Sequence, residues 1–138
     1  MPVKVICVDD SRTIRFVIVR ALSNYDCTIF EAGDGEEAFA IALREKPDII
    51  LLDMSMPVLD GVGMLAKLKE TESLKRTPVI MMSAESAREK VLAVAGLGVN
   101  DYLVKPFRMN HLIAKVNQIV PLTMKPSATS ETTIKPGL

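Results

Sequence analysis

Several residue types are scarce in this sequence, and each scarcity excludes a class of protein. The chain of 138 residues has no tryptophan, only two cysteines and a single histidine. Cys7 and Cys27 form no CxxC pair and have no histidine nearby, so neither a disulfide framework nor a zinc site is indicated. We expect both cysteines to be buried thiols.

Net charge and long apolar segments are also missing. The 17 basic side chains balance 17 acidic ones, and no block of lysines and arginines occurs, which argues against direct nucleic-acid binding. The apolar runs are far shorter than the roughly 20 residues that cross a bilayer, and the first residues lack the apolar core of a signal peptide. We therefore expect a cytoplasmic protein that is not inserted in a membrane.

Short apolar runs alternate with helical stripes along the chain. Runs bounded by Asp, Gly, Pro or Ser predict buried strands over residues 3–8, 27–30, 49–52, 79–82 and 102–104. Between and after them, apolar residues at helical spacing predict helices over about 14–22, where Ser11 could be the cap, and over 35–45, 61–70, 86–95 and 109–119. Strands that are apolar throughout are typical of parallel sheets covered on both faces. The alternation predicts an α/β fold, a doubly wound, five-stranded parallel sheet in a flavodoxin-like three-layer sandwich.

The composition changes at about residue 120. Nine of the 18 residues in 121–138 are Pro, Ser or Thr, and no helical stripe continues there. We interpret residues 1–120 as one domain and residues 121–138 as a flexible tail or linker.

Polar residues follow most of the predicted strands. They are Asp9 and Asp10 after the first strand, Asp53 after the third, Ser83 after the fourth, and Lys105 with Pro106 after the fifth. The second strand ends in Glu31 and Ala32, which are less informative. If the strand order is 2-1-3-4-5, the polar ends of the other four strands meet in one crevice at the carboxyl edge of the sheet. Three carboxylates, a hydroxyl and an ammonium would then share a site.

Carboxylates crowded in this way need a compensating positive charge. Oxygen ligands without histidine or cysteine suit Mg²⁺, and the ammonium of Lys105 suits a phosphate oxygen. Asp53 could then be a nucleophile that forms an aspartyl phosphate. Bland alternatives stay open, because Asp9, Asp10 and Ser83 could be helix caps and Lys105 could belong to a simple turn.

These residues together resemble a known family. The similarity to a bacterial response-regulator receiver domain covers roughly residues 3–120, and it rests on Asp9-Asp10, Asp53, Met56-Pro57, Asp60-Gly61, Ser83-Ala84 and residues 102–107. The short format is similar to the single-domain chemotaxis type. The resemblance implies a phosphorylation-dependent switch of a two-component system that receives its phosphoryl group from a sensor histidine kinase or a phosphotransfer protein. Such a protein is a regulator rather than an enzyme, although it assists its own phosphotransfer and dephosphorylation.

The resemblance also implies roles in phosphorylation and metal binding. Asp53 would be the phosphoacceptor and a ligand of Mg²⁺. Asp10 would bind the metal directly, Asp9 through a water molecule, and Ser55 through its backbone carbonyl.

The remaining roles concern the phosphate and the switch. Ser83, the Ala84 backbone N–H and Lys105 would hold phosphate oxygens, and the Lys105–Pro106 peptide would be cis. Ser83 and Tyr102 would form the switch, with the ring of Tyr102 turning inward, although Tyr102 could also be a simple core residue. A downstream protein would bind the face formed by the predicted fourth helix, fifth strand and fifth helix.

Three other functions compete with this one. Phosphatases that form an aspartyl phosphate carry a second Asp two residues after the nucleophile, where this chain has Ser55. A flavin or nucleotide binder needs a Gly-, Ser- or Thr-rich loop after the first strand, but the acidic residues there would repel phosphate unless a metal is present. The third is an interaction module that is never phosphorylated, which the intact acidic set disfavours. Phe16 and Val19 are either loose core residues or part of a docking surface for a phosphodonor.

Overall fold

The computed structural model describes residues 2–84 and 95–125. Its strands are β1 (Val3–Val8), β2 (Cys27–Ala32), β3 (Ile49–Asp53), β4 (Val79–Ala84) and β5 (Asp101–Lys105). Its helices are α1 (Arg12–Leu22), α2 (Gly35–Glu45), α3 (Gly61–Glu70) and α4 (Met109–Ile119), and a short 3₁₀ turn spans Ala95–Leu97. The helix predicted over residues 86–95 falls almost entirely outside the described residues.

The five strands form one parallel sheet in the order β2-β1-β3-β4-β5. Val3 of β1 lies opposite Cys27 of β2, and Val8 lies opposite Ala32. Because β2 stands at one end of the strand order, it is an edge strand. Parallel strands place all their carboxyl ends at the same edge of the sheet. The predicted fold class and strand order are therefore confirmed.

Helices cover both faces of this sheet. On one face, a buried cluster joins Ala42 of α2 and Leu65 of α3 to the strands. On the other face, Leu22 of α1 and Val116 of α4 pack in a second cluster. All five residues of β3 are buried between the two layers, which explains why this segment is apolar until it reaches its terminal aspartate.

Three of the helices begin at side-chain caps. The hydroxyl of Ser11 accepts a hydrogen bond from the Ile14 N–H at 3.3 Å, as predicted for α1. Asp60 accepts one from the Gly63 N–H at 2.8 Å, and Asp34 caps α2 in the same way. Within residues 2–84 and 95–125, no helix is long and apolar enough to cross a bilayer.

Four strands extend beyond their predicted ends, and β3 and β4 do so by reaching Asp53 and Ala84. β2 continues to Ala32 and β5 begins at Asp101 and ends at Lys105, because backbone pairing continues where side chains become polar. The prediction that both cysteines are buried is confirmed for Cys7, and burial raises the pKa of its thiol to about 12. It is wrong for Cys27, which is only partly buried because it lies on the edge strand.

Backbone pairing also continues past residue 120. The Asp26 N–H donates to the Thr123 carbonyl at 2.7 Å, and the Lys125 N–H donates to the Asn24 carbonyl at 2.9 Å. Residues 121–125 therefore lie against the loop between α1 and β2, at the amino edge of the sheet. Residues 126–138 lie outside the described residues, and the boundary and flexibility of the tail remain predictions.

Candidate functional site

The carboxyl ends of β1, β3, β4 and β5 surround a cavity of about 240 Å³. Its lining residues are Asp10, Asp53, Met54, Ser55, Ser83, Ala84 and Lys105. Six of the eight residues selected from the sequence therefore share one cavity. The other two are Asp9, which lies buried and hydrogen-bonded to Lys105, and Tyr102, which lies on β5.

Asp9 is fully buried and is held by four hydrogen bonds. Its backbone N–H donates to the Ala32 carbonyl at 3.0 Å. Its side chain accepts from the Ser11 N–H at 2.9 Å and from the Lys105 ammonium at 2.6 Å. Its backbone carbonyl accepts from the Arg15 guanidinium at 2.6 Å. A buried carboxylate satisfied in this way is fixed in position and orientation.

The ammonium of Lys105 lies between two buried carboxylates. It also donates to Asp53 at 3.1 Å, and Asp53 is only 5% exposed. Burial raises the pKa of Asp53 above its usual range and the charge of Asp9 adds to this effect, whereas Lys105 and the Ser55 backbone oppose it. Burial alone would lower the pKa of Lys105, but its bonds to both carboxylates outweigh this and raise it. Lys105 therefore remains charged at neutral pH.

The three carboxylates can present oxygen atoms to a single ion. Oxygens of Asp9, Asp10 and Asp53 all lie within 4.8 Å of one another, and Asp10 is exposed. When all groups are ionised, three carboxylates against the one ammonium of Lys105 leave two negative charges. This charge and an all-oxygen donor set fit a divalent hard cation such as Mg²⁺.

Ser83 adds a polar group whose hydrogen-bonding capacity is unused. Its side chain is 1% exposed, and its hydroxyl has no hydrogen-bond partner among the described residues. A buried hydroxyl without a partner costs free energy. An acceptor oxygen in the cavity that Ser83 lines would remove this cost. Ala84, the next residue, is exposed at the end of β4.

Tyr102 lies apart from this cavity. Its ring packs against the core cluster on the face that α2 and α3 cover. Its hydroxyl is buried and has no partner among the described residues. The ring is partly buried against this cluster, and the switch role of Tyr102 stays a prediction.

The loops around the site explain two further sequence features. The Lys105–Pro106 peptide is cis, as the resemblance implies. A Cβ atom at Gly61 would overlap the backbone carbonyl of Asp53, so only glycine lets α3 begin this close to β3. In the loop between Asp53 and Gly61, Val58 is 79% exposed and has a φ of 68°. This positive φ is a strained conformation for a β-branched residue.

Arg15 and Glu31 contact the site indirectly, and sequence reasoning missed both. Arg15 donates to the Asp9 carbonyl and also to Glu31 at 3.0 Å. The available signal was electrostatic. Arg12 and Arg15 lie in or next to the first turn of α1, which contains no acidic residue, although the helix dipole disfavours positive charge there. Arg15 has such partners, whereas Arg12 forms no side-chain bond with a described residue, so this signal does not identify the pair of Arg15 and Glu31.

Phe16 lies on the same helix and is 63% exposed, so the interpretation of it as a loose core residue is wrong. Together with Val19 it lines a groove beside the edge strand. The alternative, a docking surface for a phosphodonor, stays a prediction.

Comparisons with known proteins agree on one family. The family model described as "Response regulator receiver domain" matches residues 5–117. Among curated proteins, "Probable transcriptional regulator ycf27" of Porphyridium aerugineum is 34% identical over 92% of this chain and 52% of the relative. "Response regulator MprA" of Mycobacterium leprae is 32% identical over 93% of this chain and 55% of the relative. The chain thus spans about half the length of these curated relatives.

Solved structures give the same result. The chemotaxis protein CheY4 of Vibrio cholerae superposes with a TM-score of 0.81 at 31% identity, over 87% of this chain and all of that chain. The receiver domain of AraT, a response regulator from Geobacillus stearothermophilus, gives a TM-score of 0.78 at 30% identity, over 86% of this chain and 93% of that one.

Proposed function

Because the chain belongs to the response regulator receiver domain family, whose general function is phosphorylation-dependent switching, we propose that Asp53 accepts the phosphoryl group. One observation carries this assignment. Asp53 is a buried carboxylate at the end of the central strand, and it lines the same cavity as Lys105 and the partnerless hydroxyl of Ser83. A nucleophile, a cation and an unused donor together suit a phosphoryl group.

In the proposed reaction an oxygen of Asp53 attacks the phosphorus atom of a phosphohistidine. The new bond joins phosphorus to this oxygen, the phosphorus–nitrogen bond breaks, and the imidazole leaves with the electron pair and takes up a proton. Lys105 shifts a hydrogen bond from the carboxylate to a phosphate oxygen. Ser83 and the backbone N–H of Ala84 donate to the others. The same groups would also assist hydrolysis of the aspartyl phosphate.

We assign Mg²⁺ to the acidic cluster. The carboxylates of Asp10 and Asp53 and the carbonyl of Ser55 would hold it directly, and Asp9 would contact it through water. When bound, the ion supplies positive charge that offsets the phosphate and the crowded carboxylates. Asp10 suits this role because it is exposed and lines the cavity.

The phosphate would act as a switch by drawing the Ser83 hydroxyl into a new hydrogen bond. This contact would favour one arrangement of the loops after β3 and β4, and it would stabilise Tyr102 in its inward position. The neighbouring surface of β5 and α4 exposes Val104 by 49% and Met109 by 39%. We propose this surface, with the segment predicted as a helix over residues 86–95, as the site for a downstream protein.

The output of the whole protein is open to two proposals. Curated relatives that are about twice as long are named "transcriptional regulator" or "response regulator". The match to the chemotaxis protein CheY4, in contrast, spans the whole of that chain. For the residues of this chain we propose binding of a protein partner rather than direct contact with nucleic acid, because its basic and acidic side chains balance. We also propose a cytoplasmic location, where a sensor histidine kinase or phosphotransfer protein would supply the phosphoryl group.

Intact-mass spectrometry tests the phosphoacceptor. The protein is treated with acetyl phosphate and Mg²⁺, alongside Asp53→Asn and the control Asp26→Asn, whose exposed side chain lies at the opposite edge of the sheet. We expect one acid-labile, hydroxylamine-sensitive phosphoryl group on wild type and on the control, and none on Asp53→Asn. Labelling of Asp53→Asn at the wild-type rate would contradict the assignment.

A further inference from the structure

Arg15 connects the edge strand to the acidic turn. Its guanidinium donates from Nη1 to the Asp9 carbonyl at 2.6 Å and from Nε to a Glu31 carboxylate oxygen at 3.0 Å. The Arg15 side chain is only 16% exposed and its bond to the Asp9 carbonyl is partly buried, whereas the Glu31 side chain is 50% exposed. Arg15 therefore ties the end of β2 to the turn that carries Asp9 and Asp10.

The bond to the Asp9 carbonyl controls the direction of Asp10. The carbonyl of Asp9 and the N–H of Asp10 belong to one planar peptide unit, so an oxygen held in place also fixes the backbone of Asp10. No side-chain hydrogen bond or ion pair between described residues involves the Asp10 carboxylate. Its position therefore depends on the backbone that Arg15 holds.

The start of α1 is an unfavourable place for the positive charge of Arg15. At the start of α1 the helix dipole disfavours a cation, and no acidic residue lies in that turn. A cation close to a site for a divalent ion also repels that ion. Pure electrostatics therefore predicts that removing Arg15 strengthens cation binding. A positioning role predicts the opposite.

We propose that Arg15 is a positioning residue, which holds the Asp9–Asp10 turn in the geometry that binds a divalent cation, with Glu31 as its anchor. The inference rests on the proposed function of the acidic cavity and extends it to residues outside that cavity. It also gives β2 a role in the site. Groups that orient metal ligands typically change metal affinity by about 10- to 100-fold when they are removed.

Calorimetric titration of the full chain with Mg²⁺ tests the proposal. Arg15→Met keeps the apolar stem and removes the donors. Arg12→Met is the matched control, because it removes the same charge from the same turn at an exposed position without a side-chain bond to any described residue. Arg15→Lys keeps the charge, but a single ammonium cannot span the Asp9 carbonyl and Glu31 as the planar guanidinium does.

We expect Arg12→Met to bind Mg²⁺ as tightly as wild type or a few-fold more tightly. Arg15→Met should bind about 10-fold more weakly than Arg12→Met, and Arg15→Lys should lie between them. At saturating Mg²⁺, phosphorylation of Arg15→Met by acetyl phosphate should return towards the wild-type rate, because Asp53 and Lys105 are unchanged. Circular dichroism checks folding, and unfolded protein would lower the stoichiometry of the titration rather than the affinity.

Equal or tighter Mg²⁺ binding by Arg15→Met than by Arg12→Met overturns the proposal while the proposed function stands. If Arg15→Met does not fold, wild-type affinity in Arg15→Lys overturns it in the same way. If wild type itself neither binds Mg²⁺ nor becomes phosphorylated, the proposed function fails and this inference fails with it.

Discussion

Replacing Lys105 with methionine should destabilise the metal-free protein by about 3 kcal/mol. Methionine keeps most of the side-chain volume but removes the ammonium from two buried carboxylates, at 2.6 Å from Asp9 and 3.1 Å from Asp53. Each charge-assisted hydrogen bond contributes roughly 1.5–3 kcal/mol. Protonation of one carboxyl group sets an upper limit to the loss of stability. Protonating a carboxylate of ordinary pKa at pH 7.5 costs about 5 kcal/mol. Because Lys105 is 20% exposed, we expect each of its two hydrogen bonds to contribute near the lower end of the range for a charge-assisted bond.

The same variant should recover stability as the pH falls. Burial and the charge of Asp9 already raise the pKa of Asp53, and losing Lys105 raises it further. The folded state then holds a proton that the unfolded state releases. Stability therefore decreases as the pH rises from the ordinary value of 3.8 to the raised pKa. Conversely, lowering the pH from 7.5 to 5 should return part of the lost free energy of unfolding.

Urea unfolding followed by circular dichroism in EDTA measures both effects. Lys75→Met is the control, because Lys75 forms an ion pair with Glu72 at 2.9 Å on the surface and should cost less than about 1 kcal/mol. Mg²⁺ should restore more stability to Lys105→Met than to wild type, since it replaces the missing charge. If Lys105→Met matches Lys75→Met at both pH values, the ammonium does not neutralise the buried pair.

Three further substitutions test the surroundings of the site. Asp10→Asn should weaken Mg²⁺ binding at least tenfold in calorimetry without lowering the melting temperature of the metal-free protein, because it removes a ligand and relieves repulsion; unchanged affinity would contradict the metal assignment. Val58→Gly should add about 1 kcal/mol to the free energy of urea unfolding by relieving its positive φ, whereas Val58→Ala should gain less. Gly61→Ala should lose about 2 kcal/mol and slow labelling by acetyl phosphate, because the new methyl displaces the Asp53 backbone; wild-type values for both would refute that packing argument.

The sequence is sufficient to predict most of the fold because the sheet is covered on both faces. Full burial makes β3 apolar throughout, and a continuous run is easy to recognise. The caps Ser11 and Asp60 mark the starts of their helices through chemistry that the sequence displays. The ends of β2 and β5 are harder to predict, since backbone hydrogen bonds extend a strand irrespective of side-chain polarity.

The site is less completely visible in the sequence. Residues that follow strands could be located, because parallel topology brings them together. The pair formed by Arg15 and Glu31 could not, because the two lie 16 positions apart and β2 borders no part of the cavity. Burial of the Ser83 hydroxyl without a partner also depends on packing, which residue spacing does not record.

The pairing of residues 121–125 with the loop before β2 determines where an attached probe would sit. β2 has six residues at about 3.3 Å each, so roughly 20 Å separates this exit from the phosphoacceptor edge. A fluorophore, tag or fused reporter joined after Lys125 would be attached at the amino edge of the sheet, away from the carboxyl edge where a phosphodonor approaches Asp53. A truncation before Thr123 would instead leave the Asp26 N–H without its acceptor, so an engineered biosensor should retain this short bridge.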